Sequence, residues 1–199
     1  MMRHYPLIAV LLFFSFFSGT PNPARNIEPS KPAVLLRTPI REDNTHIPWS
    51  YTRKLSWNDF QCEPQRHTDA VALTSTSLGL SYRITNSILT YEINCTFAKD
   101  KSWGLLKTDY ILAHEQGHFD LTEIYARKLN KAMQQYQFNA QTYKQDINTI
   151  YEDIVHEKET SQQAYDGETD HSRNRKVQVE WLKKIDAQLA ETAPYAVYP

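Results

Sequence analysis

The sequence predicts an α+β domain, a small antiparallel sheet followed by three helices. Three observations lead there. The first half of the chain alternates apolar and polar residues with period two. Beyond about Thr108 the pattern turns helical, and Tyr110 to Tyr136 holds no Pro and one Gly. Finally, only 5 Gly occur in 199 residues, where average usage gives roughly 14, too few for a turn-dense sandwich or barrel.

Taken in order, Met1–Thr20 (MMRHYPLIAVLLFFSFFSGT) places Arg3 before an apolar run from Leu7 to Phe17 and small residues after it. That is the layout of a secretory signal peptide, and the run is short for a spanning helix of about 20 residues. Residues 1–20 are therefore expected to be a signal peptide, with an uncleaved N-terminal anchor as the alternative, and the protein to be secreted or periplasmic. Residues 21–48 carry six Pro and read as an exposed lead-in, with Val34-Leu35-Leu36 as a short strand. Residues 49–199 form one domain.

Leu78, Leu80, Tyr82 and Ile84 alternate with small or polar residues. After Thr85-Asn86-Ser87, Leu89, Tyr91, Ile93, Cys95 and Phe97 alternate again. Two such runs across a short polar turn predict a hairpin with one buried face. Helices follow at about Tyr110–Tyr136, at about Tyr143–Gln163 with an Ile147, Ile150, Ile154, Val155 stripe, and at about Arg173–Ala190 with Val177, Trp181, Ile185 and Leu189. Tyr165–Ser172 reads as a polar loop between the last two. Trp57, Trp103 and Trp181 are expected in the core, and Trp49 against the lead-in.

Formal net charge is −1, which leaves no basic footprint for nucleic acid. The two Cys, Cys62 and Cys95, form an even pair in an oxidising compartment and are expected as one disulfide. Such a bridge stabilises by roughly 3–4 kcal/mol on the chain-entropy account.

The chemistry concentrates in His114-Glu115-Gln116-Gly117-His118. Two His one helical turn apart can hold one Zn²⁺, and Glu115 beside them can take a proton from an activated water. On a helix turning about 100° per residue, Asp120 and Glu123 point away from that face. They are expected to meet solvent or a basic partner such as Arg127. A third ligand must then come from elsewhere. Candidates are His156, Glu157 and Glu159 on the second helix, and His171 in the following loop, where Asp166, Thr169 and Asp170 can orient an imidazole. Residue chemistry favours His171 among them. Tyr165 is the candidate for stabilising an oxyanion.

The stretch Leu112–Arg127 (LAHEQGHFDLTEIYAR), the upstream Leu55-Ser56-Trp57-Asn58-Asp59-Phe60 and Tyr165-Asp166…Thr169…His171 resemble a bacterial family of secreted proteins. That family is described as predicted zinc-dependent proteases, domain of unknown function 922. The resemblance runs from about Leu55 to Trp181. It implies a zincin-like fold, one zinc per chain on His114, His118 and His171, and Glu115 as catalytic acid/base. Many members carry Gly after the loop His, where this chain has Ser172.

The reading that follows is a secreted zinc peptidase, a monomer acting on a peptide or protein substrate, with no nucleic-acid partner and no membrane contact beyond the signal segment.

 Glu115 serves as its general base. Two alternatives stand beside it. One is a secreted binding or scaffold module with a structural or vestigial metal site, and the other a non-proteolytic zinc amidase. If Leu89–Phe97 is an edge strand beside the cleft, substrate could add to it as a further strand.

Overall fold

The structure, a computed structural model, describes residues 41–65, 68 and 70–199. The expected signal segment and most of the lead-in with its Val34–Leu36 strand lie outside the described residues. The architecture is α+β. Five short or medium strands, β1 (His46–Pro48), β2 (Ala72–Leu73), β3 (Thr76–Thr85), β4 (Ile88–Ala98) and β5 (Trp103–Gly104), precede three helices, α1 (Asp109–Gln135), α2 (Tyr143–Thr169) and α3 (Arg175–Glu191).

The hairpin forms as its alternation requires. Thr85 pairs with Ile88, and the connecting Asn86 and Ser87 both have positive φ, 51° and 62°, which suits a two-residue turn to the twist of the strands. Leu89, Tyr91, Ile93, Cys95 and Phe97 are all buried on β4. The end of the lead-in is also structural: β1 pairs antiparallel with β4, and Ile47 is fully buried opposite Phe97. The strand order is β1-β4-β3, so β4 is central. Leu89–Phe97 is therefore not an edge strand: β3 pairs along its whole length, and on the other side β1 pairs with Thr96–Ala98, the Trp49 N–H donates to the Cys95 carbonyl at 3.0 Å and the Ile93 N–H to the Pro199 carbonyl at 2.7 Å.

No disulfide joins Cys62 to Cys95; both are free thiols. Their surroundings differ. Cys95 is buried on β4 and hydrogen-bonds Glu123, whereas the Cys62 thiol donates to the adjacent Glu63 carbonyl at 3.7 Å.

α1 begins at Thr108, whose side chain accepts from the Ile111 N–H at 3.2 Å, a side-chain cap on one of the helix's unpaired donors. It is buried continuously from Phe119 to Arg127, because the sheet, α2 and α3 all pack on it. α2 runs about six residues beyond the expected end near Gln163, through Thr169. The Tyr165–Ser172 stretch is thus helix for its first half. Burial overrides the turn signal of Asp166-Gly167 here: Tyr165 and Thr169 are fully buried, and Trp181 Nε1 donates to Glu168 at 2.7 Å. Among the described residues, no helix is long and apolar enough to cross a membrane.

Candidate metal centre

His114, Glu115 and His118 lie in the first half of α1, where the helix forms one wall of a cleft of about 480 Å³. The facing wall is the extended segment Ala70–Thr76, and the third side is α2 and the turn after it. His114 and Glu115 are only 3% and 4% exposed.

Three donor atoms converge there. His114 Nε2 and His118 Nε2 are 3.2 Å apart, and Asp166 Oδ1 lies 3.1 Å from the first and 3.0 Å from the second. These separations are close to the edge of a tetrahedron of ligands, about 3.3 Å for bonds of about 2.0–2.1 Å to zinc.

Gln162 decides what such a cluster needs. Its Nε2 donates to the His118 carbonyl at 2.9 Å and to Thr122 Oγ1 at 3.2 Å. A carbonyl can only accept, so the amide oxygen must be the atom facing His118 Nδ1, and that nitrogen carries a hydrogen. In the neutral ring, Nε2 then presents a lone pair to a carboxylate oxygen and another imidazole. A cation, proton or metal, is required between them. Without metal, burial draws the His118 pKa down but Asp166 more than offsets this, leaving it raised. Burial pushes Asp166 up, and its hydrogen bonds to the two imidazoles outweigh it, holding the carboxyl well below the usual range. The donor set, two imidazoles and one carboxylate with an oriented second partner, is one that zinc accepts.

Tyr165 supports this cluster from behind. It is fully buried, stacks on His114 with centroids 4.5 Å apart, and its hydroxyl donates to the His114 carbonyl at 3.3 Å. It does not line the cleft, so an oxyanion role does not fit its position. Gly117 is explained by the same contact, since a Cβ there would stand 2.5 Å from the Tyr165 hydroxyl.

The expected third ligands are spread apart. His171 stands at the cleft mouth with its side chain 58% exposed, Nδ1 3.7 Å from Asp166 Oδ1, outside the converging three. Glu159 is on the rim, His156 is exposed without lining the cleft, and Glu157 pairs with Lys128 at 3.5 Å. Asp166, read from sequence as a residue able to orient an imidazole, supplies the third atom directly. Its position one turn before the helix end, four residues after Gln162, would have signalled this had the helix been extended through Thr169.

The turn that carries His171 is unusual. Asp170, His171 and Ser172 have φ of 48°, 49° and 71°, three consecutive left-handed residues without a glycine. Each such residue costs of order 1 kcal/mol. Hydrogen bonds from His171 N to Asp166 O at 2.9 Å and from Asn174 N to Thr169 O at 2.8 Å hold it. The Ser172 φ is one that glycine adopts freely.

Fold and site together define an α+β protein with a histidine-carboxylate cluster in an open cleft. Residues 30–172 match the family described as "Bacterial protein of unknown function (DUF922)", and the chain belongs to that family. No curated protein and no solved structure matches it.

Proposed function

We propose that this protein is an exported, zincin-like metallopeptidase, with His114, His118 and Asp166 holding one zinc ion. The observation that supports it best is the convergence of two imidazole nitrogens and a carboxylate oxygen at 3.0–3.2 Å beside the buried Glu115. Zinc bound there would polarise the scissile carbonyl and lower the pKa of the attacking water. Glu115 lines the cleft one residue from His114. It accepts the proton of the attacking water as the new C–O bond forms and delivers it to the amine nitrogen, so that the C–N bond then breaks with the amine leaving neutral. The His171 imidazole, at the mouth, donates to the carbonyl oxygen as negative charge develops, the role first assigned to Tyr165. Peptide lies in extended form along Ala70–Thr76, the segment facing the motif.

Glu115→Gln should keep zinc and lose about 10²–10⁴-fold in peptide hydrolysis, measured on a fluorogenic peptide mixture with zinc-loaded protein. Full activity in the zinc-loaded variant would remove Glu115 from the mechanism. The second reading, a structural metal site, draws on the proximity of His171 to Asp166. A rotation of that side chain could complete a closed four-ligand shell. It predicts zinc without hydrolysis in wild type.

A further inference from the structure

The hydrolytic reading leaves one polar feature of the cleft unused. α2 presents Lys158, Gln162 and Asp166 to it at successive four-residue intervals. Gln162 and Asp166 belong to the metal end. Lys158 lies two turns away, about 12 Å along the axis at about 1.5 Å per residue. Of the lining residues it is the one with a permanent positive charge.

Its side chain is only 10% exposed, and its ion-pair partner among the described residues is Glu159 Oε1 at 2.7 Å, on a side chain 54% exposed. A nearly buried ammonium is costly unless well compensated. One rim carboxylate, itself hydrated, uses a fraction of a group with three donors. The opposite wall, Ala70 to Thr76, carries no acid that could share the charge. It does carry Thr74 Oγ1, buried without a hydrogen-bond partner.

We propose that Lys158 selects substrate by charge, taking a carboxylate of the bound peptide about three to four residues from the scissile bond, since extended chain advances about 3.3 Å per residue. The substrates are thus peptides that present a carboxylate at that distance. Placing the scissile bond rests on the hydrolytic reading, whereas carboxylate binding at Lys158 does not. The carboxylate is either an internal Asp or Glu side chain or the peptide's own C-terminus. In the empty cleft Glu159 occupies the ammonium, and substrate displaces it.

The test uses Glu115→Gln protein, with and without zinc, and fluorescein-labelled peptides of about eight residues, long enough to span the cleft. The peptides differ only in Glu or Gln at one position, each as free acid and as C-terminal amide, and anisotropy reads the Kd. Weaker binding on amidation assigns the terminal carboxylate; a Glu-over-Gln preference that survives amidation assigns the side chain. Either carboxylate should bind about tenfold or more tightly than its neutral counterpart. Lys158→Met should erase that ratio. Glu159→Gln, at an exposed position, should widen it by removing the competing carboxylate. Equal Kd values for charged and neutral peptides, a ratio that survives Lys158→Met, or a ratio unchanged by Glu159→Gln would overturn the proposal. Charge-selective binding without turnover in zinc-loaded wild type would instead count against the peptidase reading alone.

Discussion

The two faces of α1 carry similar residues and treat them oppositely. Toward the cleft, His114, His118 and Asp166 bring three ligand atoms together with only each other to bond. Away from it, the two buried acids each have dedicated partners. Asp120 accepts from Trp49 Nε1 at 2.6 Å and Gln116 Nε2 at 2.9 Å, and faces Lys54 at 3.5 Å. Glu123 accepts from Arg127 Nε at 2.8 Å and from the Tyr198 hydroxyl at 2.7 Å. Arg127 in turn donates to the Leu189 carbonyl and lies over the Trp49 ring. The back face is a completed network that ties the N-terminal strap and the C-terminal segment to the helix. The front face is complete only with a cation. Acidity follows the same division: Asp166 is held below its ordinary pKa by the imidazoles, while burial raises Asp120 and Glu123 above theirs despite their partners. Unsatisfied convergence sets the cleft face apart from the satisfied burial behind it.

Substitutions can break that distinction from either side. The largest effect is expected at the back. Glu123→Ala leaves the Arg127 guanidinium buried without its partner and the Tyr198 hydroxyl without its acceptor, and should cost about 3–5 kcal/mol of stability, read by denaturant unfolding, with zinc binding by the folded fraction unchanged. Its pH dependence has a definite sign. Because the folded-state pKa of Glu123 is raised, chiefly by burial, the wild type gains stability as pH falls from neutral through that value toward the unfolded value near about 4.3. The gap to the variant should therefore widen over that window. A narrowing gap would mean that the Arg127 pair, rather than burial, governs Glu123.

At the front, Gln162→Leu removes the acceptor that fixes the His118 tautomer. Zinc affinity should fall about 10–100-fold, by competition with a chromophoric chelator, and stability of the metal-free chain much less. Unaltered affinity would show that the amide only packs. The smallest effect belongs to the strained turn. Ser172→Gly should stabilise by about 1 kcal/mol in thermal unfolding, since glycine meets φ 71° without a Cβ penalty. A loss of stability would show that the buried Ser172 side chain contributes more than its backbone costs.

Much of this was legible in the sequence because it depended on local periodicity. Strict alternation around Asn86-Ser87 specified the hairpin, and the 100° geometry placed Asp120 and Glu123 off the histidine face and Glu123 against Arg127. What the sequence did not reveal depended on contacts made between distant segments. The Tyr165-Asp166-Gly167 stretch has turn-forming chemistry, yet burial of Tyr165 under His114 keeps it helical, and that extra turn is what aims Asp166 at the histidines. β1 needed β4 to become a strand, so its three residues read as lead-in. Cys62 and Cys95 were paired by count alone, and the fold gave each a separate partner.

The central claim is that Asp166 completes the site. Elemental analysis of purified wild type, Asp166→Ala and His171→Ala tests it directly. The account predicts one zinc per chain in wild type, its loss in Asp166→Ala and its retention in His171→Ala. Zinc kept by Asp166→Ala but lost from His171→Ala would contradict it and make His171 the third ligand.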